Sequence, residues 1–183
     1  MSRIPRVTKH DDMPAERQHF FDRIIRTRGR VTEPFQVLLN SPEIADRLAS
    51  IGDFLLYDTV VAPPVRTLTW LIAAREYDCE YAWTAAVPLA RKAGVQENLI
   101  DAIWNRKPLP DVTHEQQLLI DFCHQLLRGN HHVSERSYRA TVDHFGTAAT
   151  VQIAATVGYF VMMAFVLNAF EIQPNTAESE PLL

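Results

Sequence analysis

Apolar residues recur at intervals of three and four along most of this chain, which is the spacing of one face of an α-helix. Helix-entry and helix-exit residues divide the pattern into predicted helices. These cover residues 14–28, a stretch beginning at 41–42, and residues 65–77, 79–94, 96–104, 113–129, 134–145 and 148–170. No segment alternates convincingly between apolar and polar residues. We therefore predict an all-α fold, a compact helical bundle of six to eight helices.

Local signals refine this pattern at four places. Residues 30–40 contain a short apolar run, which predicts a buried turn or a short helix. Thr113 and Gln116 have the spacing of a capping box. Asp78 is predicted to cap a helix that begins at Cys79, which would place the thiol in the first turn. Pro88 lies too far into that helix to begin it, so we expect a kink there.

The segment 148–170 is apolar on all sides and long enough to invite a transmembrane interpretation. Gln152, Thr156 and Asn168 interrupt it, and no Lys or Arg flanks it. A helix that is apolar all round is equally typical of a protein core or a subunit interface. We therefore predict that Thr147 caps this helix, that it is buried between elements or subunits, and that the protein does not enter a membrane.

Composition narrows the class of protein. With 183 residues and 47% hydrophobic content, the chain suits a single domain over 1–183, with residues 1–12 and 173–183 mobile. A formal net charge of −4 argues against nucleic-acid binding. The polar N-terminus lacks a signal-peptide pattern, so we expect a cytoplasmic protein with free thiols at Cys79 and Cys123. The seven histidines lack metal-ligand spacing, so we predict no metal and no cofactor.

Cys79 is the first candidate for chemistry. The exposed N–H groups at a helix N-terminus lower the pKa of a thiol. Asp78 and Glu80 flank Cys79 directly, and their negative charges oppose thiolate formation. The sequence leaves open whether Cys79 is reactive or a buried structural residue.

The stretch around Cys79 also resembles a known family. The pattern Cys79-x-Tyr81-x-Trp83, followed by Pro88-Leu89-Ala90 and Ala93-Gly94, is similar to the active-site helix of the carboxymuconolactone decarboxylase and alkylhydroperoxidase D (AhpD) superfamily. Weaker resemblances in the same order extend over residues 29–170. The resemblance implies an all-helical subunit that forms a homo-oligomer, often a trimer or hexamer.

The family's usual catalytic groups are mostly absent. Its second cysteine, or its glutamate in the decarboxylase-like branch, falls on Ala82, and its histidine falls on Ala86. An upstream glutamate of the peroxidase branch falls on Thr67. Restoring a glutamate and a histidine at 82 and 86 would, on this hypothesis, recreate an acid/base pair beside the ligand.

The resemblance implies a ligand site on this helix. We expect Cys79 and Glu76 to be the catalytic candidates. The candidate ligand-binding residues are Arg66, Arg75, Tyr81, Ala82, Trp83, Ala86 and Tyr159. The favoured function is binding or conversion of a small organic acid, lactone or aromatic ligand in catabolism. The alternatives are thiol peroxidase activity through Cys79, or a non-catalytic ligand-binding or scaffolding oligomer.

Overall fold

The computed structural model describes residues 2–174, which fold into α-helices joined by loops and short 3-10 or π turns, with no strand in that range. The helices are α1 (Gln18–Arg28), α2 (Glu33–Leu38), α3 (Pro42–Asp53), α4 (Pro63–Glu76), α5 (Glu80–Lys92), α6 (Glu97–Trp104), α7 (His114–Leu127), α8 (Glu135–Phe145) and α9 (Thr147–Ala169). The predicted all-α class is confirmed. Nine α-helices within 2–174 exceed the predicted number because the 30–40 segment forms the short helix α2.

Several helix ends follow the local signals in the sequence. The capping box of α7 is confirmed: Thr113 Oγ1 accepts from the Gln116 N–H at 3.2 Å, and Gln116 Oε1 accepts from the Thr113 N–H at 3.0 Å. Gly29 ends α1 in the left-handed region, where glycine avoids a side-chain clash. The prediction for Thr147 was wrong by one position, because α9 begins at Thr147 and the Gly146 carbonyl accepts from the Thr150 N–H.

The chain divides into two compact units, of which the first comprises Met1–Asp58 and Phe165–Gln173. In this unit α1 packs against α3, and Phe54–Asp58 forms a π-helical turn after α3. Arg28, with a side chain only 5% exposed, pairs with Asp53 at 2.9 Å. Near the N-terminus the Val7 N–H donates to the Gln36 carbonyl at 2.9 Å.

Among the described residues, the second unit comprises Thr59–Ala164 and Pro174. The mobility predicted for the C-terminal tail concerns residues that, from 175 onward, lie outside the described range. The centre of this unit is α4, which packs against α5, α6 and α7. Eight consecutive positions of α4, residues 67–74, are buried, as is Val65. The Thr67 and Thr69 hydroxyls donate to backbone carbonyls one turn earlier. Satisfied hydroxyls allow an almost entirely buried helix.

Helix α9 is buried on one side only. Ile153 and Ala164 are 0% exposed, whereas Val151 is 63% exposed and Met162 is 38% exposed. The prediction of a helix buried between elements therefore holds for one face, and its burial between subunits stays a prediction. By length and composition α9 is the one helix within 2–174 that could cross a membrane, and core helices of soluble proteins pass the same test.

Candidate functional site

The junction between α4 and α5 differs from the sequence prediction by one residue. Asp78 adopts a left-handed conformation (φ +47°), its N–H donates to the Arg75 carbonyl, and the Cys79 N–H donates to the Ala74 carbonyl at 2.9 Å. This is the hydrogen-bond pattern of a Schellman helix end, with Asp78 where glycine is usual. Asp78 therefore closes α4 instead of capping α5, and Cys79 is the N-cap of a helix that begins at Glu80.

Cys79 is buried, at 1% exposure. Burial raises the pKa of its thiol, and the backbone N–H groups of Ala82 and Tyr81 oppose that rise. The favourable position at a helix N-terminus is therefore outweighed by loss of solvent around the sulfur.

Cys123, on α7, is the less acidic of the two thiols. It is 0% exposed, and burial raises its pKa to about 12, against a smaller opposing hydrogen bond with Thr69. Both cysteines are free. Rapid peroxide reduction requires an accessible thiolate, and neither thiol meets this requirement.

We expect both thiols of the native protein to react slowly with a disulfide reagent such as DTNB. Because both pKa values are raised, the thiolate fraction at about pH 8 is smaller than in glutathione, and burial hinders access further. The rate of DTNB reaction of the native protein should be at least about tenfold lower than the rate measured for glutathione under the same conditions. Unfolding in denaturant should release both thiols at once. A native thiol that reacts as fast as glutathione would contradict this assignment.

A cleft of about 570 Å³ opens beside α4, α7 and the loop after α6. One part of its wall is apolar, formed by Ile72, Ala102, Ile103, Pro108 and Leu109. The other part carries the polar side chains Arg75, Glu76, Arg106, Lys107, His124 and Arg128. The lining residues carry four cations and one carboxylate, and the neighbouring Asp78 and Asp101 pair with three of these cations, so four positive charges meet three negative ones in a chain whose formal net charge is −4. Such a surplus of positive charge attracts anions.

Arg75 is held in place by Trp104 and Asp78. Its Nε donates to the Trp104 carbonyl at 2.6 Å, its Nη1 pairs with Asp78, and its guanidinium lies 5.2 Å from the Trp104 ring centre. Arg106 also reaches Asp78, at 3.2 Å, and Lys107 pairs with Asp101 at 2.9 Å. Asp78 therefore pairs with two arginines at the rim of the cleft, so its negative charge is directed to them and not to the Cys79 thiol.

Glu76 and Arg128 form a two-pronged ion pair across the cleft. Arg128 Nε donates to Glu76 Oε2 at 2.9 Å, and Arg128 Nη2 donates to Glu76 Oε1. Burial raises the pKa of Glu76, but the hydrogen bonds and charge of Arg128 outweigh it, so the net pKa lies below the ordinary value. Glu76 is therefore a fixed carboxylate at neutral pH, not a proton donor.

His124 lies one helical turn before Arg128. Its Nδ1 is 3.3 Å from Arg128 Nη1. Burial lowers the pKa of His124, and the charge of Arg128 lowers it further, against opposing effects of Glu76 and Asp121. The imidazole is accordingly neutral at pH 7.

The sequence-predicted site residues fall into two groups. Arg75 and Glu76 line the cleft. Cys79, Ala82 and Ala86 are 1%, 3% and 0% exposed and are not among its lining residues. This burial does not support the prediction that Ala82 and Ala86 line a ligand pocket.

The aromatic candidates lie away from the lining of this cleft. Trp83 is 8% exposed, and its ring centre is 4.9 Å from that of Trp104. Tyr159 is 5% exposed and packs edge-on against Phe160. Tyr81 and Arg66 are half-buried. A role in ligand binding stays a prediction for all four predicted residues.

Sequence reasoning missed four cleft residues, His124, Arg128, Arg106 and Lys107. The first two stand four positions apart, His124 in the last turn of α7 and Arg128 at its C-cap, and this spacing signals that their side chains are neighbours. Glu76, which orders them, is 52 positions away from Arg128 along the chain. The other two residues belong to a segment that the sequence marked only as a loop.

No family model and no curated protein matches this chain in sequence. Solved structures do match it in fold. The debrominase Bmp8 superposes with a TM-score of 0.74 at 13% identity, covering 97% of this chain and 95% of that one. A cysteine-to-alanine variant of Bmp8 in complex with 2,3,4-tribromopyrrole superposes with a TM-score of 0.73 at the same identity and coverage.

A third structure gives a TM-score of 0.77 at 20% identity, over 96% of this chain and 93% of that chain. It is the AhpD core of an uncharacterised peroxidase-related protein from Ralstonia eutropha JMP134. At these identities the likeness shows the fold alone. The chain has the all-helical fold of the AhpD-like proteins, as the resemblance in the sequence predicted.

Proposed function

We propose that this AhpD-like protein binds a small organic acid with an apolar or aromatic body in the α4–α6–α7 cleft. The observation that carries the proposal is the cluster of four cations, which outnumber the three carboxylates paired with them, beside an apolar wall. An arginine recognises a carboxylate through charge-assisted and often paired hydrogen bonds. The cleft volume of about 570 Å³ lies within the range that is typical of small-molecule binding sites.

The two parts of the wall would serve different parts of the ligand. Arg75 is held by Trp104 and Asp78, so its guanidinium needs little reorganisation to meet a carboxylate. The apolar wall, including Ile72 and Ile103, would take the body of the ligand out of water. A complex of the AhpD-like debrominase Bmp8 with 2,3,4-tribromopyrrole supports the idea that this fold accommodates a small aromatic ring.

Thiol peroxidase activity is the weaker alternative. The position of Cys79 at the N-cap of α5 favours it, but the thiol is buried and its pKa is raised. A dithiol cycle also needs a second thiolate, and the pKa of Cys123 is about 12. Binding without turnover, in an oligomer, is compatible with the cleft, and self-association and a place in catabolism stay predictions.

Benzoate is expected to bind in this cleft, whereas benzamide, its uncharged isostere, is expected to bind much more weakly. Isothermal titration calorimetry measures both. Arg106→Ala should weaken benzoate binding by about 1 kcal/mol, which is several-fold, because one charge-assisted contact is lost at an exposed rim.

Arg139→Ala is the matched control. Arg139 is an exposed arginine that pairs with Glu135 on α8 and does not line the cleft. It should leave benzoate affinity unchanged. Equal affinity for benzoate and benzamide, or an equal loss in both arginine variants, would refute organic-acid binding at this cleft.

A further inference from the structure

The Glu76–Arg128–His124 chain fixes which nitrogen of His124 carries the proton. Arginine has N–H donors and no acceptor, so in the 3.3 Å contact with Arg128 Nη1 the Nδ1 atom of His124 must be the acceptor. A neutral imidazole that accepts at Nδ1 carries its proton on Nε2. The tautomer of His124 therefore follows from the contact with Arg128.

Arg128 is itself held in place. Glu76 receives two of its N–H groups, and the Glu76 side chain is only 15% exposed. A two-pronged pair of this kind restricts the rotation of the guanidinium. Glu76 thus positions the Arg128 guanidinium against His124, and its negative charge also acts directly on the imidazole by raising its pKa.

The remaining nitrogen of His124, Nε2, is accessible to solvent. Within residues 2–174 no protein group pairs with Nε2, yet this atom is not among the buried side-chain atoms that lack a partner. His124 is also one of the residues that line the cleft, and we infer that its Nε2–H points there. It is a preoriented N–H donor beside a group of cations.

Burial, and after it the charge of Arg128, lowers the pKa of His124 and keeps the imidazole neutral, although other charged groups lie near it. Asp121 lies on α7 and Arg128 is the C-cap of that helix, while Glu76 and Arg75 lie on α4. The loop after α6 adds two further cations, Arg106 and Lys107. Helix α8 also packs against α7, but its His144 pairs with Glu115 near the opposite end of α7. Burial and neighbouring cations both disfavour an imidazolium here.

We propose that His124 donates its Nε2–H to a second acceptor oxygen of the bound acid, so that the cleft selects carboxylic acids with an adjacent carbonyl group. The arginines would take the carboxylate, and His124 the carbonyl oxygen. Arg128 and Glu76 are positioning residues that hold the donor tautomer. This inference rests on the proposed binding of an organic acid in the same cleft.

The selectivity makes a two-ligand test possible. Benzoylformate carries the carboxylate and phenyl ring of benzoate with a carbonyl group between them. Isothermal titration calorimetry should show benzoylformate binding about fivefold more tightly than benzoate, as expected from one additional neutral hydrogen bond. This difference in affinity between the two ligands is called the gain. Failure of both ligands to bind refutes the proposed function itself. Binding of both with no gain refutes only the role of His124.

Variants of His124 identify the donor. His124→Phe keeps a flat ring and should abolish the gain while benzoate still binds. His124→Gln can place an amide N–H near the position of Nε2, whereas His124→Asn reaches only the position of Nδ1. We expect the gain to survive in the Gln variant and to be lost in the Asn variant. A gain that persists in His124→Phe overturns the proposal.

The tautomer of His124 can be measured directly. If Arg128 had only a structural role, its substitution would not change that tautomer. Nitrogen-15 NMR of histidine-labelled protein at neutral pH should show a protonated Nε2 and an unprotonated Nδ1 for His124. Arg128→Met removes the donor to Nδ1 and should give a mixture of tautomers, with a smaller gain for benzoylformate. Arg128→Lys retains an N–H donor, so it should restore part of the preference for the Nε2-protonated tautomer and part of the gain for benzoylformate. A protonated Nδ1 in the parent protein refutes the assignment.

The pH profile distinguishes a neutral donor from a charged one. Since the pKa of His124 lies below its ordinary value, the imidazole is neutral throughout the range from about pH 7 to about pH 9. The gain should therefore stay constant over that range. A gain that disappears as the pH rises through this range would make imidazolium the donor and overturn the proposal.

Discussion

Leu71→Ala is expected to lower the free energy of unfolding by about 2–5 kcal/mol. Leu71 is 0% exposed and lies midway along α4, the helix against which α5, α6 and α7 all pack. Truncation removes buried methyl groups and leaves a cavity that surrounding helices fill only in part. Urea unfolding followed by circular dichroism measures the change.

Ile44→Ala serves as the control for this substitution. Ile44 is 50% exposed on α3, and alanine favours a helix more than isoleucine does, so a change within about 0.5 kcal/mol is expected. Similar effects of the two substitutions would show that α4 is not the centre of its unit. A change in the slope of unfolding free energy with urea, rather than in the midpoint, would indicate loss of two-state behaviour.

The fold class was accessible from the sequence because helical spacing and capping residues are local signals. The Thr113–Gln116 capping box needs only four consecutive residues. The degree of burial was harder to predict, since it depends on neighbours far away along the chain. The sequence favoured the apolar segment 148–170 as the buried helix, yet α9 exposes Val151 and Met162 while α4 is buried almost all round.

The candidate site was predictable only in part, for the same reason. Arg75 and Glu76 were candidates named from the sequence, and both line the cleft. Cys79 is not among the lining residues, and Asp78 ends α4 in a left-handed turn just before it. Arg128 and His124 come from a helix much later in the chain, and only the fold brings them to Glu76.

The double variant Ala82→Glu/Ala86→His is expected to lose about 4 kcal/mol or more of unfolding free energy. The sequence led to the hypothesis that restoring this acid/base pair would allow weak lactone decarboxylation. At 3% and 0% exposure, however, the two alanines have almost no solvent beside them to accommodate longer side chains. Glutamate would be buried, which raises its pKa and penalises its charged form at neutral pH. We expect no decarboxylation from this variant.

Thr84→Glu/Ala85→His is the matched control on the same helix. Thr84 and Ala85 are partly exposed, so the same two side chains can reach solvent there and should cost less than about 1 kcal/mol. Urea unfolding of both double variants, with the parent protein alongside, gives the comparison. If the Ala82→Glu/Ala86→His protein were as stable as the control, there would be space beside α5 for polar groups. Decarboxylation by that stable protein would then place the ligand site at α5 instead of at the Glu76–Arg128–His124 cleft.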